Sequence, residues 1–150
     1  MANAAGTLLL VDDNEFDRDF LARRLEKQGY TVTTTWNGKE ALDLLDVYPF
    51  DIVLLDIEIP MLGGLDVLSE VRKRYKPIEL PIIVITSQQE SHTIVQAFDL
   101  GASDYVTKPV DFAVINARIR TQLALKRAEE ANRESEERYT LAVAGSNDGI

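Results

Sequence analysis

Short apolar runs alternate with longer segments of helical periodicity along residues 7–125 of this chain. The runs are rich in Val, Ile, Leu or Thr, and turn-forming residues lie near each of them, which is typical of short strands. The strands predicted in this way are residues 7–11, 30–35, 51–55, 82–85 and 103–107. Strands that alternate with helices favour βαβ units, and right-handed crossovers place helices on both faces of the sheet. The sequence therefore predicts an α/β fold, a three-layer α/β/α sandwich around a five-stranded parallel sheet.

Large apolar side chains recur at helical spacing in the segments between these strands, which places them on one helix face. In the first predicted helix, Phe16, Phe20 and Leu25 follow this spacing. In the fourth, Ile94 and Phe98 follow it, and we expect both side chains to be buried against the sheet.

Composition excludes several classes of function. The net charge of −9 argues against a nucleic-acid surface, which would need a basic face. The chain has no cysteine, and its single histidine, His92, rules out a zinc site built from several histidines. No stretch reaches the roughly 18 consecutive apolar residues that a membrane span needs, and residues 1–6 are too few for a signal peptide. We therefore expect a cytoplasmic protein with no membrane partner.

Polar side chains follow four of the predicted strands. Asp12 and Asp13 follow the first, Asp56 the third, Thr86 the fourth and Lys108 the fifth. Because the carboxyl ends of parallel strands meet at one edge of the sheet, these side chains are expected to lie close together, where open α/β sheets bind ligands. The alternative for Asp56 alone is a strand cap held by loop amides.

Three carboxylates crowded at that edge repel one another. A like-charge pair ~4 Å apart costs about 4 kcal/mol at an effective dielectric of about 20. A cation would relieve this repulsion, and hard oxygen ligands suit Mg²⁺ or Mn²⁺. Lys108 and the Thr86 hydroxyl would add a positive charge and a donor, so the set could stabilise a phosphoryl group. Asp56 is the carboxylate best placed to be its nucleophilic acceptor.

The set of residues in this order matches a known family. The matching residues are Asp12-Asp13, Asp56, Thr86 and Lys108-Pro109. They resemble the receiver domain of two-component response regulators over about residues 7–125. The resemblance implies a flavodoxin-like strand order of 2-1-3-4-5. It also implies a phosphorelay partner, either a histidine kinase or a phosphotransfer protein, and a phosphoprotein that assists its own phosphorylation and dephosphorylation rather than an enzyme with a separate substrate.

The same resemblance implies a role for each metal ligand. Asp56 would be the phosphoacceptor and would bind Mg²⁺. Asp13 would bind the ion directly and Asp12 largely through water, and the backbone carbonyl of Glu58 would complete the site.

The resemblance also implies how the phosphoryl group is held and sensed. Thr86 would donate a hydrogen bond to it, and Lys108 would form an ion pair with it. Tyr105 would be the aromatic switch that turns inward when Thr86 moves. The peptide bond between Lys108 and Pro109 would be cis, which is uncommon among such bonds.

The end of the chain differs in composition from the rest. A helical pattern begins at Asp111 and does not stop before about Tyr139, so the last helix is expected to be extended. Residues 126–138 are charged almost throughout and are expected to form a solvated linker helix after a receiver domain of residues 1–125. A weak heptad repeat in this helix is compatible with a homodimer formed through the last helix. Residues 139–150 resemble the start of a PAS sensory domain. This resemblance implies a diguanylate cyclase or a histidine kinase as a further output domain after the PAS domain.

Two other functions fit parts of the sequence. A stand-alone phosphatase with an Asp nucleophile needs a second acid two residues later, and Glu58 fits that place loosely. A flavin-binding module on the same fold needs a hydroxyl-rich phosphate loop after the first strand. This chain has acidic residues there, beginning with Asp12 and Asp13, and they would repel phosphate.

Overall fold

The computed structural model describes residues 5–87 and 91–148, with the side chains of these ranges described as far as residue 136. The elements, in chain order, are β1 (Gly6–Val11), α1 (Glu15–Lys27), β2 (Tyr30–Thr35), α2 (Gly38–Val47), β3 (Ile52–Asp56), α3 (Gly64–Arg72), β4 (Ile82–Thr86), α4 (Ser91–Asp99), β5 (Asp104–Thr107) and α5 (Phe112–Asp148). The strands form one parallel sheet in the order β2-β1-β3-β4-β5. This confirms the predicted five-stranded, flavodoxin-like sheet and the extended last helix.

Helices cover both faces of the sheet. The buried residues of α2, α3 and α4 pack with one set of strand side chains, which includes Leu9 and Val11. The buried residues of α1 and α5 pack with the opposite set, which includes Leu8 and Leu10. Because successive strand residues face opposite sides, a strand covered on both faces must be apolar at every position. This explains the apolar run at residues 8–11 of β1 and the burial of β3 and β4, which are apolar up to their last residues, Asp56 and Thr86.

Strand register brings the polar strand ends together. Val11 of β1 pairs with Leu55 of β3, and Asp56 pairs with Ile85 of β4. Thr86 in turn pairs with Thr107, the last residue of β5. The carboxyl ends of four strands therefore form one edge, as the sequence predicted.

Three of the aromatic side chains are not where helical spacing alone would place them. Phe98 is 42% exposed, so the prediction of a buried Phe98 was wrong, and Ile94 is only half-buried. The small side chain of Ala97 fills the buried position of α4 instead. Phe16 and Phe20 are also exposed and stack on each other with ring centroids 6.1 Å apart. Periodicity identifies a helix face, but it does not show whether another element covers that face.

The last helix is extended, as predicted, and it reaches Asp148. Residues 130–136 are exposed, whereas Lys126, the first residue of the segment predicted to be solvated, is buried. The side chains of residues 137–148, and residues 149 and 150 entirely, lie outside the described part. The resemblance of residues 139–150 to a PAS domain therefore stays a prediction. Within the described ranges, no helix has the length and apolar character needed to cross a membrane.

Gly38 provides a test of the packing beside the functional edge. Its amide donates to the carbonyl oxygen of Pro60 at 3.2 Å, and a Cβ atom there would overlap the backbone oxygen of Leu62 and lie 2.8 Å from Val67 Cγ2. Gly38→Ala should therefore lower the free energy of unfolding by about 1–3 kcal/mol, as overpacking does. Urea unfolding measures this change. Gly63→Ala is the control, because a Cβ there would meet only Asp66 Oδ2 at 3.7 Å. Equal stability of the two variants would contradict the prediction.

Candidate functional site

Three acidic side chains converge at the carboxyl edge of the sheet. Asp12 and Asp13 directly follow β1, and Asp56 is the last residue of β3. Each has a carboxylate oxygen within 4.8 Å of an oxygen of the other two. Asp12 and Asp56 are buried, whereas Asp13 is exposed. The cluster therefore has two fixed, buried members and one that faces solvent.

Both oxygens of Asp56 accept short hydrogen bonds. The backbone amide of Glu58 donates to Oδ1 at 2.9 Å, and Lys108 Nζ donates to Oδ2 at 2.6 Å. The residue is only 1% exposed. A buried carboxylate needs such partners, because an uncompensated charge away from water is costly. The strand cap considered as an alternative is thus present in part, through Glu58, but the shorter contact is with a charged lysine.

The ionised form of Asp12 is destabilised by its surroundings. Burial raises the pKa of Asp12 to about 6, and the nearby charge of Asp56 raises it as well. The hydrogen bond from the amide of Asn14 at 2.9 Å and the charge of Lys108 act in the opposite direction without cancelling the burial. A raised carboxyl pKa means that the ionised form is destabilised, here mainly because burial removes water from the carboxylate. A bound cation would stabilise the ionised form.

Lys108 is the cation at the centre of this cluster in the described structure. Its Nζ lies 2.6 Å from Asp56 Oδ2 and 3.7 Å from Asp12 Oδ2. Burial alone would lower the pKa of Lys108, but its hydrogen bond to Asp56 and the charges of Asp56 and Asp12 raise it overall. The lysine is therefore charged at neutral pH. The peptide bond between Lys108 and Pro109 is cis, in agreement with what the family resemblance implied.

Thr86 and Tyr105 lie on adjacent strands beside the acidic cluster. Thr86 is 1% exposed at the end of β4, and its carbonyl oxygen accepts a hydrogen bond from the amide of Lys108 at 2.9 Å. Tyr105 pairs in register with Val84, two residues before Thr86. Its ring is half-buried and meets Phe98 edge to face, with centroids 5.9 Å apart and an interplanar angle of 86°. Tyr105 is therefore not a fully enclosed core residue, and its ring borders solvent.

Two contacts at the site had no counterpart in the sequence analysis. Arg18 on α1 donates from Nη1 to the backbone oxygen of Asp12 at 2.9 Å. Ser87 donates from Oγ to Glu58 Oε1 at 2.9 Å, across the ends of β3 and β4. Both hold the loops that carry the acidic residues. An arginine on a helix and a serine after a strand are too common to be recognised from sequence.

A cavity of about 240 Å³ adjoins the cluster. Its lining includes the charged side chains of Asp12 and Lys108 and the exposed aromatic residues Phe16 and Phe20. Arg24 lies 4.3 Å from the centroid of the Phe112 ring, the geometry of a cation–π contact. The site thus opens onto a surface that is partly aromatic.

The donor set fits a hard divalent cation. The three grouped side chains offer only carboxylate oxygens, and two of these side chains belong to buried residues. The pKa of Asp12 is raised mainly by burial, and the charge of Asp56 raises it further. Oxygen donors at an open edge with room for water are the environment that Mg²⁺ prefers. The predicted metal ligands that the structure brings together are Asp12, Asp13 and Asp56.

The fold and this edge define the domain as a receiver. The family model for the response regulator receiver domain matches residues 8–120, and the chain belongs to this family. A putative response regulator from Chloroflexus aurantiacus is 30% identical, with a TM-score of 0.73 over 79% of this chain and 98% of that one. The Francisella response regulator 1452 receiver domain is 26% identical, with a TM-score of 0.74 over 79% of this chain and 97% of that one.

A longer relative carries a second domain. A probable two-component response regulator/GGDEF domain protein is 26% identical, with a TM-score of 0.78 over 83% of this chain. The match covers 52% of that protein. These relatives support the receiver interpretation and give no support to the stand-alone phosphatase that the sequence left open.

Proposed function

We propose that this domain accepts a phosphoryl group on Asp56 from a histidine kinase or a phosphotransfer protein, with Mg²⁺ or Mn²⁺ as cofactor. The observation that supports this most directly is the pairing of a buried Asp56 with Lys108 at 2.6 Å, inside a cluster of three carboxylates. Such a pairing places a nucleophile and a positive charge at one accessible strand end. Membership of the receiver family supports the same reaction.

In the proposed reaction, a carboxylate oxygen of Asp56 attacks the phosphorus of a phosphohistidine. The phosphorus–nitrogen bond breaks, and its electron pair returns to the imidazole nitrogen. The product is an acyl phosphate on Asp56. Asp56 reacts as the anion, so no base has to remove a proton from it. The ammonium group of Lys108 and the hydroxyl of Thr86 would stabilise the negative charge of the phosphoryl oxygens, as preorganised donors do in phosphoryl transfer.

The acidic cluster would hold the metal ion. Asp13 and Asp56 would bind it directly, with the backbone carbonyl of Glu58, and Asp12 would bind largely through water. The carboxylate oxygens of Asp12, Asp13 and Asp56 lie within 4.8 Å of one another, close enough to share one ion. When bound, the ion neutralises charge on the phosphoryl oxygens. The domain would later be reset when water attacks the acyl phosphate and releases inorganic phosphate, which makes the domain its own substrate.

The output would leave through the last helix. Thr86 would move toward the phosphoryl group, and Tyr105 would follow into the space beside it. The packing of α5 and its linker would then change, and with it the pairing of two chains or the activity of C-terminal domains. A PAS domain, followed by a diguanylate cyclase or a kinase, is the output that we propose. The relative named as a response regulator/GGDEF domain protein supports a further domain beside the receiver.

Asp13→Asn tests the metal site. Because Asp13 is an exposed member of the cluster, its loss should weaken Mg²⁺ binding without disturbing the core. We expect the dissociation constant to rise at least about tenfold, since even removal of an outer partner of a metal ligand has effects of that size. Calorimetric titration with Mg²⁺ measures this change. Asp99→Asn removes the same charge from the exposed end of α4 and should bind as the wild type does. An unchanged affinity of Asp13→Asn for Mg²⁺ would contradict the assignment of Asp13 as a metal ligand.

A further inference from the structure

The charged linker begins with a buried lysine. Lys126 is 9% exposed, although the neighbouring residues Leu125 and Arg127 are exposed. It lies three residues after Leu123 and seven after Ile119, both buried, so it continues the face of α5 that packs against the sheet. A lysine can occupy such a place because its aliphatic stem covers apolar surface while its ammonium group reaches a polar partner.

Asp51 is the polar partner of Lys126. Lys126 Nζ lies 3.4 Å from Asp51 Oδ1 and 3.5 Å from the backbone oxygen of the same residue. The other carboxylate oxygen of Asp51 accepts from the amide of Thr7 at 2.8 Å, and the amide of Asp51 donates to the Thr7 carbonyl at 2.8 Å. Asp51 therefore connects the starts of β1 and β3 to the linker helix.

The next linker residue contacts the same end of the sheet. Arg127 donates from Nη2 to the backbone oxygen of Ala5 at 2.9 Å, immediately before β1. A Cβ at Gly6 would lie 3.3 Å from Asp51 Oδ2, a tight contact, and at an ordinary 3.6 Å from Arg127 Nη2. Gly6 also has a φ of 135°, which disfavours any other residue.

Beyond this point the side chains of the helix become more exposed. Glu129 is half-buried, and residues 130–136 are exposed. An open cleft of about 280 Å³ lies between this part of the helix and the loop after α3, which contributes Tyr75 and Glu79. The cleft leaves room for the helix to change direction if its contacts with the strand starts were lost.

We propose that Lys126 and Arg127, held by Asp51 and Ala5, form an anchor that fixes the direction in which the linker helix leaves the receiver. The packed body of the domain then ends at Arg127 rather than at the composition boundary after Leu125. The anchor lies at the amino ends of the strands, opposite Asp56. If Asp56 is phosphorylated as proposed above, a shift in the packing of α5 would reach the C-terminal segment as a rigid movement, because the helix cannot bend where it leaves the domain.

A distance measurement tests the anchor. The chain has no cysteine, so spin labels can be attached through Asp43→Cys on α2 and Ser135→Cys on the linker, both exposed positions. Pulsed electron paramagnetic resonance on labelled chains diluted with unlabelled ones gives the distance distribution within one molecule. In the otherwise unchanged chain the distribution should be narrow. Lys126→Ala should make it at least about twofold broader, because a helix segment without buried contacts opens at little cost.

Two further variants make the result specific. Lys73→Ala removes the same charge from an exposed pair with Glu70 and should leave the width unchanged. Asp51→Asn keeps an oxygen that can accept from Thr7 but removes the charge that faces Lys126, and it should broaden the distribution as Lys126→Ala does. Equal widths in all variants, or a broad distribution before any change at Lys126, would overturn the anchor. The measurement needs no phosphorylation. It can therefore contradict the anchor while Asp56 still accepts a phosphoryl group, and it can support the anchor if Asp56 proves not to be phosphorylated.

Discussion

Asp56→Asn should abolish phosphorylation of this domain completely. Incubation of the wild-type chain with a small phosphodonor and Mg²⁺ should add one phosphoryl group, and mass spectrometry should find it on Asp56. The amide of Asn is not a nucleophile, yet it has nearly the same shape and keeps one oxygen for the donors that now hold Asp56. The variant should therefore stay folded and remain unlabelled. This is the largest effect that we expect from any single substitution.

The chemistry of the label and a matched control make the result specific. Hydroxylamine should release the phosphoryl group, because it attacks acyl phosphates. Asp66→Asn changes an exposed carboxylate in the first turn of α3, outside the acidic cluster, and should be labelled as the wild type is. A label that persists at the same yield in Asp56→Asn would move the reaction to another residue and contradict the proposed function.

The acidic edge could be predicted because parallel strands leave few alternatives. Once the alternation of strands and helices is recognised, the carboxyl end of every strand lies at the same edge. The residues after β1, β3, β4 and β5 must then be neighbours in space, whatever their separation in sequence. This is why Asp56 and Lys108, 52 residues apart, could be placed together before their 2.6 Å contact was known. The cis bond after Lys108 was different, because only the family resemblance implied it.

Contacts made by side chains on helices could not be predicted in this way. Arg18 reaches the backbone oxygen of Asp12, and Lys126 reaches Asp51, but each depends on where a long side chain is directed once the helix has packed. Composition even pointed away from the second contact, because residues around Lys126 are charged and were expected to be solvated. Because one continuous helix forms both the packed part of the domain and the linker, composition does not show which residue is the last to face the sheet.

The periodicity that correctly identified the helices also led to the wrong prediction that Phe98 is buried. Phe98 follows Ile94 by four residues, as a buried pair would, but its ring lies at the edge of the domain against Tyr105. A sequence pattern records which side chains share a helix face. Whether that face meets the sheet or solvent is decided by packing between distant segments. In the proposed relay, a movement of Tyr105 would change its contact with Phe98.

Thr86→Ala should remove the response of the domain to phosphorylation while leaving phosphorylation itself possible. Thr86 is buried at the end of β4, next to Lys108 in the backbone hydrogen-bond pattern, and its hydroxyl is the donor proposed to follow the phosphoryl group. A modification shifts a conformational equilibrium only through contacts that differ between the two states. Without the hydroxyl, phosphorylation no longer favours one conformation over the other, and Tyr105 should stay against Phe98.

Self-association of the chain, measured by sedimentation velocity with and without an acyl-phosphate mimic, tests this relay. In the wild type, we expect the mimic to change the association constant at least about fivefold, the lower end of typical coupling between two sites. In Thr86→Ala the mimic should bind but leave the association constant unchanged. Thr107→Ala is the matched control, because Thr107 pairs with Thr86 in register and ends β5, yet has no proposed contact with the phosphoryl group. Equal responses in the wild type and in Thr86→Ala would show that Thr86 is not the relay. If neither responds, the last helix does not transmit the state of Asp56 through chain pairing.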